Sequence, residues 1–176
     1  MLTGRFVMGA GIFCLGFGGY LYFKSAPAPA RAAEGRPAPD LKLSDLSGRQ
    51  ASIEEYRGKI VLVDFWATWC EACKEEMPDL KRLYQKLRPQ GVEFLAPSMD
   101  EDGKKALLPF VAQFEVPWRV LLANDEAARA YGVFGLPTKF LIDPSGVIVR
   151  RYVGPVEVSE LERDVLSLLK KENNAS

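Results

Sequence analysis

Seven residues, Ile60-Val-Leu-Val-Asp-Phe-Trp66, run with a single charged interruption and end four positions before a Cys-x-x-Cys. A run this apolar and β-branched reads as a strand buried on both faces. Both faces of its sheet must then be covered, which commits the chain to a layered α/β architecture. Immediately after Cys70 and Cys73 the pattern changes period. Met77, Leu80, Leu83, Tyr84 and Leu87 fall at three- and four-residue spacing, which predicts a helix from about Cys70 to Leu87 with that stripe inward. Pro78 lies inside it and is expected to kink it.

The rest of the domain follows the same alternation. Leu41, Leu43 and Leu46 alternate with polar residues and predict a short strand, with Gln50-Ala51-Ser52 pairing back after the Ser47-Gly48 turn. Ser52-Ile-Glu-Glu55 is a capping box for one short helical turn. Strands are predicted at Val92–Ala96, Val120–Leu122, Lys139–Asp143 and Val147–Val153, the last two as a hairpin around Pro144-Ser-Gly146. Helices are predicted at Lys104–Phe114, with Leu107, Leu108, Val111 and Phe114 inward, and at Asp125–Tyr131. A last helix is capped by Ser159 and turns Leu161, Val165, Leu168 and Leu169 to the core. The chain shows no internal repeat, no P-loop and no GxGxxG.

The amino-terminal part is different. Phe6 to Tyr22 carries no charge, and the apolar stretch from Leu2 to Phe23 has the ~20-residue length of a spanning helix if Arg5 reaches the interface. Ala28-Pro29-Ala30 is a weak cleavage site, and the run is longer than a usual signal core, so an uncleaved anchor is the better reading. Cys14 lies mid-segment after bulky Phe13, which disfavours lipidation; with Ala10 and Gly18 it forms a small-residue face. Lys and Arg flank both ends and do not set the orientation. The cysteine usage and the signal-like position place the bulk of the chain outside the cytoplasm. The expected organisation is an anchor at 1–24, an Ala/Pro-rich extended linker at 25–39, a folded domain at 40–172 and a disordered tail at 173–176.

Composition narrows the chemistry. Among 176 residues there is no histidine, so no Ser-His-Asp triad, Cys-His dyad or histidine metal site exists. Lys and Arg number 23, as do Asp and Glu, and this neutral balance argues against a nucleic-acid partner. No cofactor or metal is called for. A zinc pair at Cys70 and Cys73 would lack partner ligands, and a haem attachment site would need His where Lys74 stands. A peroxidase of the peroxiredoxin type would want Thr or Ser at Ala67. A merely structural disulfide is the bland alternative. The strand–helix setting favours a redox pair, because the free N–H groups of a helix start stabilise a thiolate. Cys70, at the helix start, is the candidate attacking sulfur, and Cys73, one turn in, the resolving one.

Two carboxylates stand near the pair. Asp64 interrupts the buried strand, where burial raises a carboxyl's pKa and suits it to accept a proton from Cys73. Glu76 lies one turn beyond Cys73 and is a second candidate for proton movement. Glu71, Glu75 and Asp79 read as solvated surface. As acids beside a thiolate they limit any drop in its pKa, which favours a reducing poise. Gly135-Leu136-Pro137-Thr138 opens a strand, where a cis bond at Pro137 would present the backbone of Leu136 to a bound chain.

With VLVDFWATWCEAC, the Glu76…Pro78 pair, an insertion of about 25 residues around Asp100–Ala123 and YGVFGLPTKFLIDPSG, residues from about Pro37 to Lys171 resemble the thioredoxin superfamily, and within it the membrane-anchored TlpA/ResA-like thiol–disulfide oxidoreductases. The resemblance implies a thioredoxin-like α/β fold: a central mixed sheet flanked by helices, an N-terminal hairpin extension, an inserted helix–strand segment and one N-terminal transmembrane helix. It implies that Pro137 is a cis proline opposite the sulfurs and that Trp69 shields them. One departure is the spacer Glu71-Ala72, where Glu-Pro is more usual; a proline there would stiffen the helix start. Asp64 is closer to thioredoxin itself than to members with a neutral residue at that place.

The implied activity is reduction of protein disulfides on the periplasmic side of a bacterial inner membrane. Implied partners are apocytochrome c or copper-site assembly proteins as clients and an upstream membrane electron donor. Two other readings stay open from the residues: a non-enzymatic Cu(I)-binding thiol chaperone, since thiolates suit Cu(I), and a disulfide oxidase of similar fold.

Overall fold

A computed structural model describes residues 32–175. The proposed anchor at 1–24 with Cys14, and the first part of the linker, lie outside the described residues. Among those described, no helix is long and apolar enough to cross a membrane.

The central element is β3 (Ile60–Phe65), buried at every position. It pairs in parallel with β4 (Val92–Ser98) and antiparallel with β6 (Thr138–Ile142). The edge strands β5 (Arg119–Leu122) and β7 (Ile148–Val153) complete a five-stranded mixed sheet of order β5-β4-β3-β6-β7. Strand alternation divides the core in two. Leu62, Trp66 and Leu141 face α1 (Glu71–Leu87), α2 (Lys104–Phe114) and α4 (Val158–Ala175). Val61, Val63, Phe65 and Phe140 face the β1–β2 hairpin (Leu43–Ser44, Gln50–Ala51) and α3 (Asp125–Tyr131).

Edge strand β5 is not left open. Asp45 bridges to Leu121, and the Arg119 side chain ties down the hairpin by bonding Asp45 at 3.0 Å, Glu55 at 3.1 Å and the Gln50 carbonyl at 2.8 Å. Covering an edge in this way removes a template for intermolecular pairing. The capping box at Ser52 forms as expected, over a 3-10 turn at Ile53–Tyr56.

Five details differ from the sequence-based expectations. Residues 32–39, expected in the tether, are packed into the domain: Ala32 N–H donates to Ala130, Gly35 N–H to Ile148, and Pro37 bridges Val147. Backbone bonding settles such a segment, whose Ala/Pro-rich composition alone reads as a tether. On α2 the buried stripe is Leu107 and Phe110, with Val111 and Phe114 beside it; Leu108 is 53% exposed because i, i+3, i+4, i+7 from Leu107 skips it. Ser159 does not cap α4 but sits in its first turn, where the N–H groups of Glu160 and Leu161 bond the Glu157 carbonyl. Residues 173–175, expected in the tail, continue that helix. Strand β4 also runs two residues past the expected Ala96. Pro97 lacks an N–H, but its carbonyl accepts from Trp66 N–H at 3.2 Å, so the ladder continues.

Candidate active site

Cys70 is the N-cap of α1, and its sulfur accepts the Cys73 N–H at 3.2 Å. The two cysteines form a disulfide. Both are nearly covered, Cys70 at 7% exposure and Cys73 at 3%, so attack on the pair is confined to the Cys70 side. The loop that delivers Cys70 is clamped. Thr68 donates from its N–H and its hydroxyl to Asp100, which also accepts from Ser98 at 2.6 Å. That anchoring of the β3–α1 turn to the end of β4 fixes where the helix starts, and so where its free N–H groups point.

In front of Cys70 lies an open groove of about 650 Å³ whose walls include Trp69, Met99, Phe134 and Leu136, with Glu71 and Glu101 at its rim. Trp69 is 67% and Phe134 87% exposed, unusual for rings of this size in a chain with a filled core. The Leu136–Pro137 bond is cis, as anticipated, and Leu136 lines the groove with Cys70. Phe134 was not singled out in the sequence; a lone aromatic in a loop gives no periodic signal.

Behind the pair the sheet supplies charge. Asp64 is 9% exposed on the β3 face that meets α1. Its register partner across the ladder is Lys139, which is fully buried. The Lys139 ammonium donates to Glu76 Oε2 at 2.6 Å and stands 3.5 Å from Asp64 Oδ1. Glu76 Oε1 accepts the Val156 N–H at 2.8 Å, so both of its oxygens are held. Asp64 Oδ1 has no hydrogen-bond partner among the described residues. The structure therefore brings Asp64, Glu76 and Cys73 to one side of the sheet, and adds Lys139, which the sequence reading passed over. The signal was present: Asp64 and Lys139 are single charges in otherwise apolar strands.

Burial pushes the Asp64 carboxyl up from 3.8 to about 6; Lys139 opposes the rise and Glu76 adds to it. A carboxyl whose folded pKa lies above its unfolded one favours the fold only while protonated. Its contribution is complete below about pH 4 and is lost as pH rises through about 6. Asp64→Asn is therefore expected to stabilise the domain at pH 7 by on the order of 1–3 kcal/mol and to match the parent near pH 4. Urea unfolding at the two pH values measures this. Equal pH responses of the two proteins would refute the burial argument.

Of the expected surface acids, Glu71 pairs with Lys74 at 2.6 Å and Asp79 pairs with Arg82. Glu71 also lines the groove in front of Cys70, so its charge stands beside the approach to the sulfurs.

A mixed five-stranded sheet, a Cys-x-x-Cys disulfide at the head of α1 and a cis proline beside it together define a thioredoxin-like thiol–disulfide oxidoreductase. The chain belongs to the AhpC/TSA family, whose model matches residues 35–151. Its relatives include the thiol–disulfide oxidoreductase ResA of Geobacillus thermodenitrificans, 38% identical over 137 residues that cover 77% of this chain and 78% of the relative. ResA of Bacillus subtilis is 37% identical over 139 residues, covering 78% and 76%. Among solved structures, a thioredoxin-family thiol:disulfide interchange protein from Chlorobium tepidum superposes with a TM-score of 0.69 at 28% identity, over 78% of this chain and 99% of the other.

Proposed function

We propose that this oxidoreductase is a reductase of protein disulfides, held by its first 24 residues in a bacterial inner membrane with residues 32–175 on the periplasmic side. Its clients would be apocytochrome c before haem attachment or copper-site proteins of oxidase assembly. The observation that carries the reading is the Cys70 sulfur at the head of α1, opening on an apolar groove, with a buried carboxylate on the other side of the pair.

In the reduced enzyme the Cys70 thiolate attacks one sulfur of the client disulfide. That bond breaks, and the second client sulfur leaves as a thiolate that takes a proton from water. Cys73 then gives its proton to Asp64 and attacks Cys70, closing the disulfide and releasing the other client thiol. The client gains two electrons and the Cys70–Cys73 pair loses them. A membrane-bound electron donor restores the dithiol. Trp69 and Leu136 hold the client chain beside the sulfurs. Glu76, with both oxygens engaged, holds Lys139 in place while Asp64 handles the proton.

A Cys73→Ser variant should halt after the first attack and accumulate client adducts on Cys70. Absence of any adduct under reducing supply would sink the reductase reading. The reduction potential of the pair separates direction: a value near ~−270 mV fits reduction, and one near ~−120 mV fits an oxidase. Stoichiometric Cu(I) binding by the dithiol without exchange activity would instead support a thiol chaperone.

A further inference from the structure

A lysine with no exposed surface is costly unless its charge does something, and disulfide exchange by two sulfurs and one base leaves it no task. Lys139 lies between two carboxylates, and the two are not equivalent. Glu76 is held on one oxygen by Lys139 and on the other by the Val156 N–H. Asp64 keeps an oxygen with no hydrogen-bond partner among the described residues, 3.5 Å from the same ammonium. Asp64 is therefore the acid able to take up a proton, and Lys139 is the nearest charge that opposes uptake.

We propose that Lys139 is a positioning residue of the exchange reaction: its ammonium, shared between Glu76 and Asp64, keeps Asp64 in the ionised form that accepts the Cys73 proton. The proposal rests on the reading of Asp64 as that acceptor. Without the cation, two buried carboxylates would face each other and Asp64 would hold its proton at neutral pH. It would then be unable to take a second one from Cys73. The other groups on this face do not substitute. Tyr152, the register partner of Lys139 on β7, directs its hydroxyl to Asp164 of α4 at 2.8 Å. Arg150 is paired with the same Asp164 at 3.3 Å. Strand β4 brings Phe94 and Ala96, neither of which titrates, and α1 brings Cys73 and Glu76.

The test is the pH dependence, from about pH 5 to about pH 9, of the single-turnover rate at which Cys73 resolves a preformed mixed disulfide between Cys70 of the full chain and an insulin chain, a step in which Cys70 is no longer a free thiol. Lys139→Met is expected to move the acid limb upward by about 1–3 pH units. Glu76→Gln frees the ammonium for Asp64 and is expected to move the same limb downward by about one unit. A purely structural lysine would lower the rate at every pH and leave the limb in place. Asp64→Asn is the control and should remove the limb. If the limb survives in Asp64→Asn, the reading of Asp64 falls and the proposal with it. If it vanishes there but stands unmoved in Lys139→Met and Glu76→Gln, the proposal alone is overturned. Should Lys139→Met fail to fold, the direction of the Glu76→Gln shift decides.

Discussion

Cys70→Ser is expected to lower disulfide reduction by on the order of 10⁴-fold or more, the scale seen when a covalent nucleophile is deleted. A hydroxyl at the same N-cap still accepts the Cys73 N–H, so the helix start survives. What disappears is the thiolate, which alone attacks a disulfide sulfur. The reduced proteins should differ little in unfolding free energy, since one near-isosteric atom changes at a site already 7% exposed. Insulin reduction and urea unfolding, both run in excess reductant, measure the two halves of the statement. Residual exchange above the rate of the reductant alone would mean that Cys73, at 3% exposure, also reaches clients directly.

Lys139→Met should be the most damaging single change to stability, at about 3–5 kcal/mol near pH 7. Its volume is nearly conserved, so no cavity is made. The cost comes from two carboxylates left without their cation, one bonded at 2.6 Å and the other 3.5 Å away. The loss should shrink as pH falls toward about 6, because the variant's Asp64, lacking the cation, takes up its proton at a higher pH than the parent's and relieves the repulsion first. Changing Asp64 and Glu76 to neutral residues as well should recover most of the stability, because a buried ionic cluster rarely outperforms a well-packed apolar one. A loss independent of pH would indicate that Lys139 matters for packing rather than charge.

These expectations draw on different amounts of sequence information. The strand at Ile60–Phe65 and the helix at Glu71–Leu87 were legible because each has a strong period and a clear boundary, an apolar run in one case and a Cys-x-x-Cys at the cap in the other. The cis bond at Leu136–Pro137 was legible as an option, since proline makes it cheap. Residues 32–39 were misread because an Ala/Pro composition looks the same in a tether and in a docked segment; partners on β7 and α3, more than 90 positions away, decide between them. Leu108 was misread because hydrophobic content was counted without fixing the phase of the stripe, which Trp66 sets by packing on Phe110 with ring centroids 5.0 Å apart. Ser159 lies two residues past the capping position at Glu157, within the range over which helix ends are soft.

The sequence by itself determined the reactive pair and the element that presents it, since a Cys-x-x-Cys between a buried strand and an amphipathic helix places one sulfur at a helix start whatever the rest of the fold does. It also left proton handling to carboxylates, because the chain has no histidine. The meeting of Asp64, Lys139 and Glu76 belongs to the tertiary structure. Those residues lie up to 75 positions apart, on two strands and a helix, and come together through the antiparallel register of β3 with β6 and the seating of α1 across them. Register is a property of pairing, and a slip of one residue would have turned Lys139 to the opposite face. The groove was settled in the same way. Trp69, Met99, Phe134 and Leu136 come from three separate loops, and their common wall exists only where the ends of β3, β4 and β6 are brought side by side.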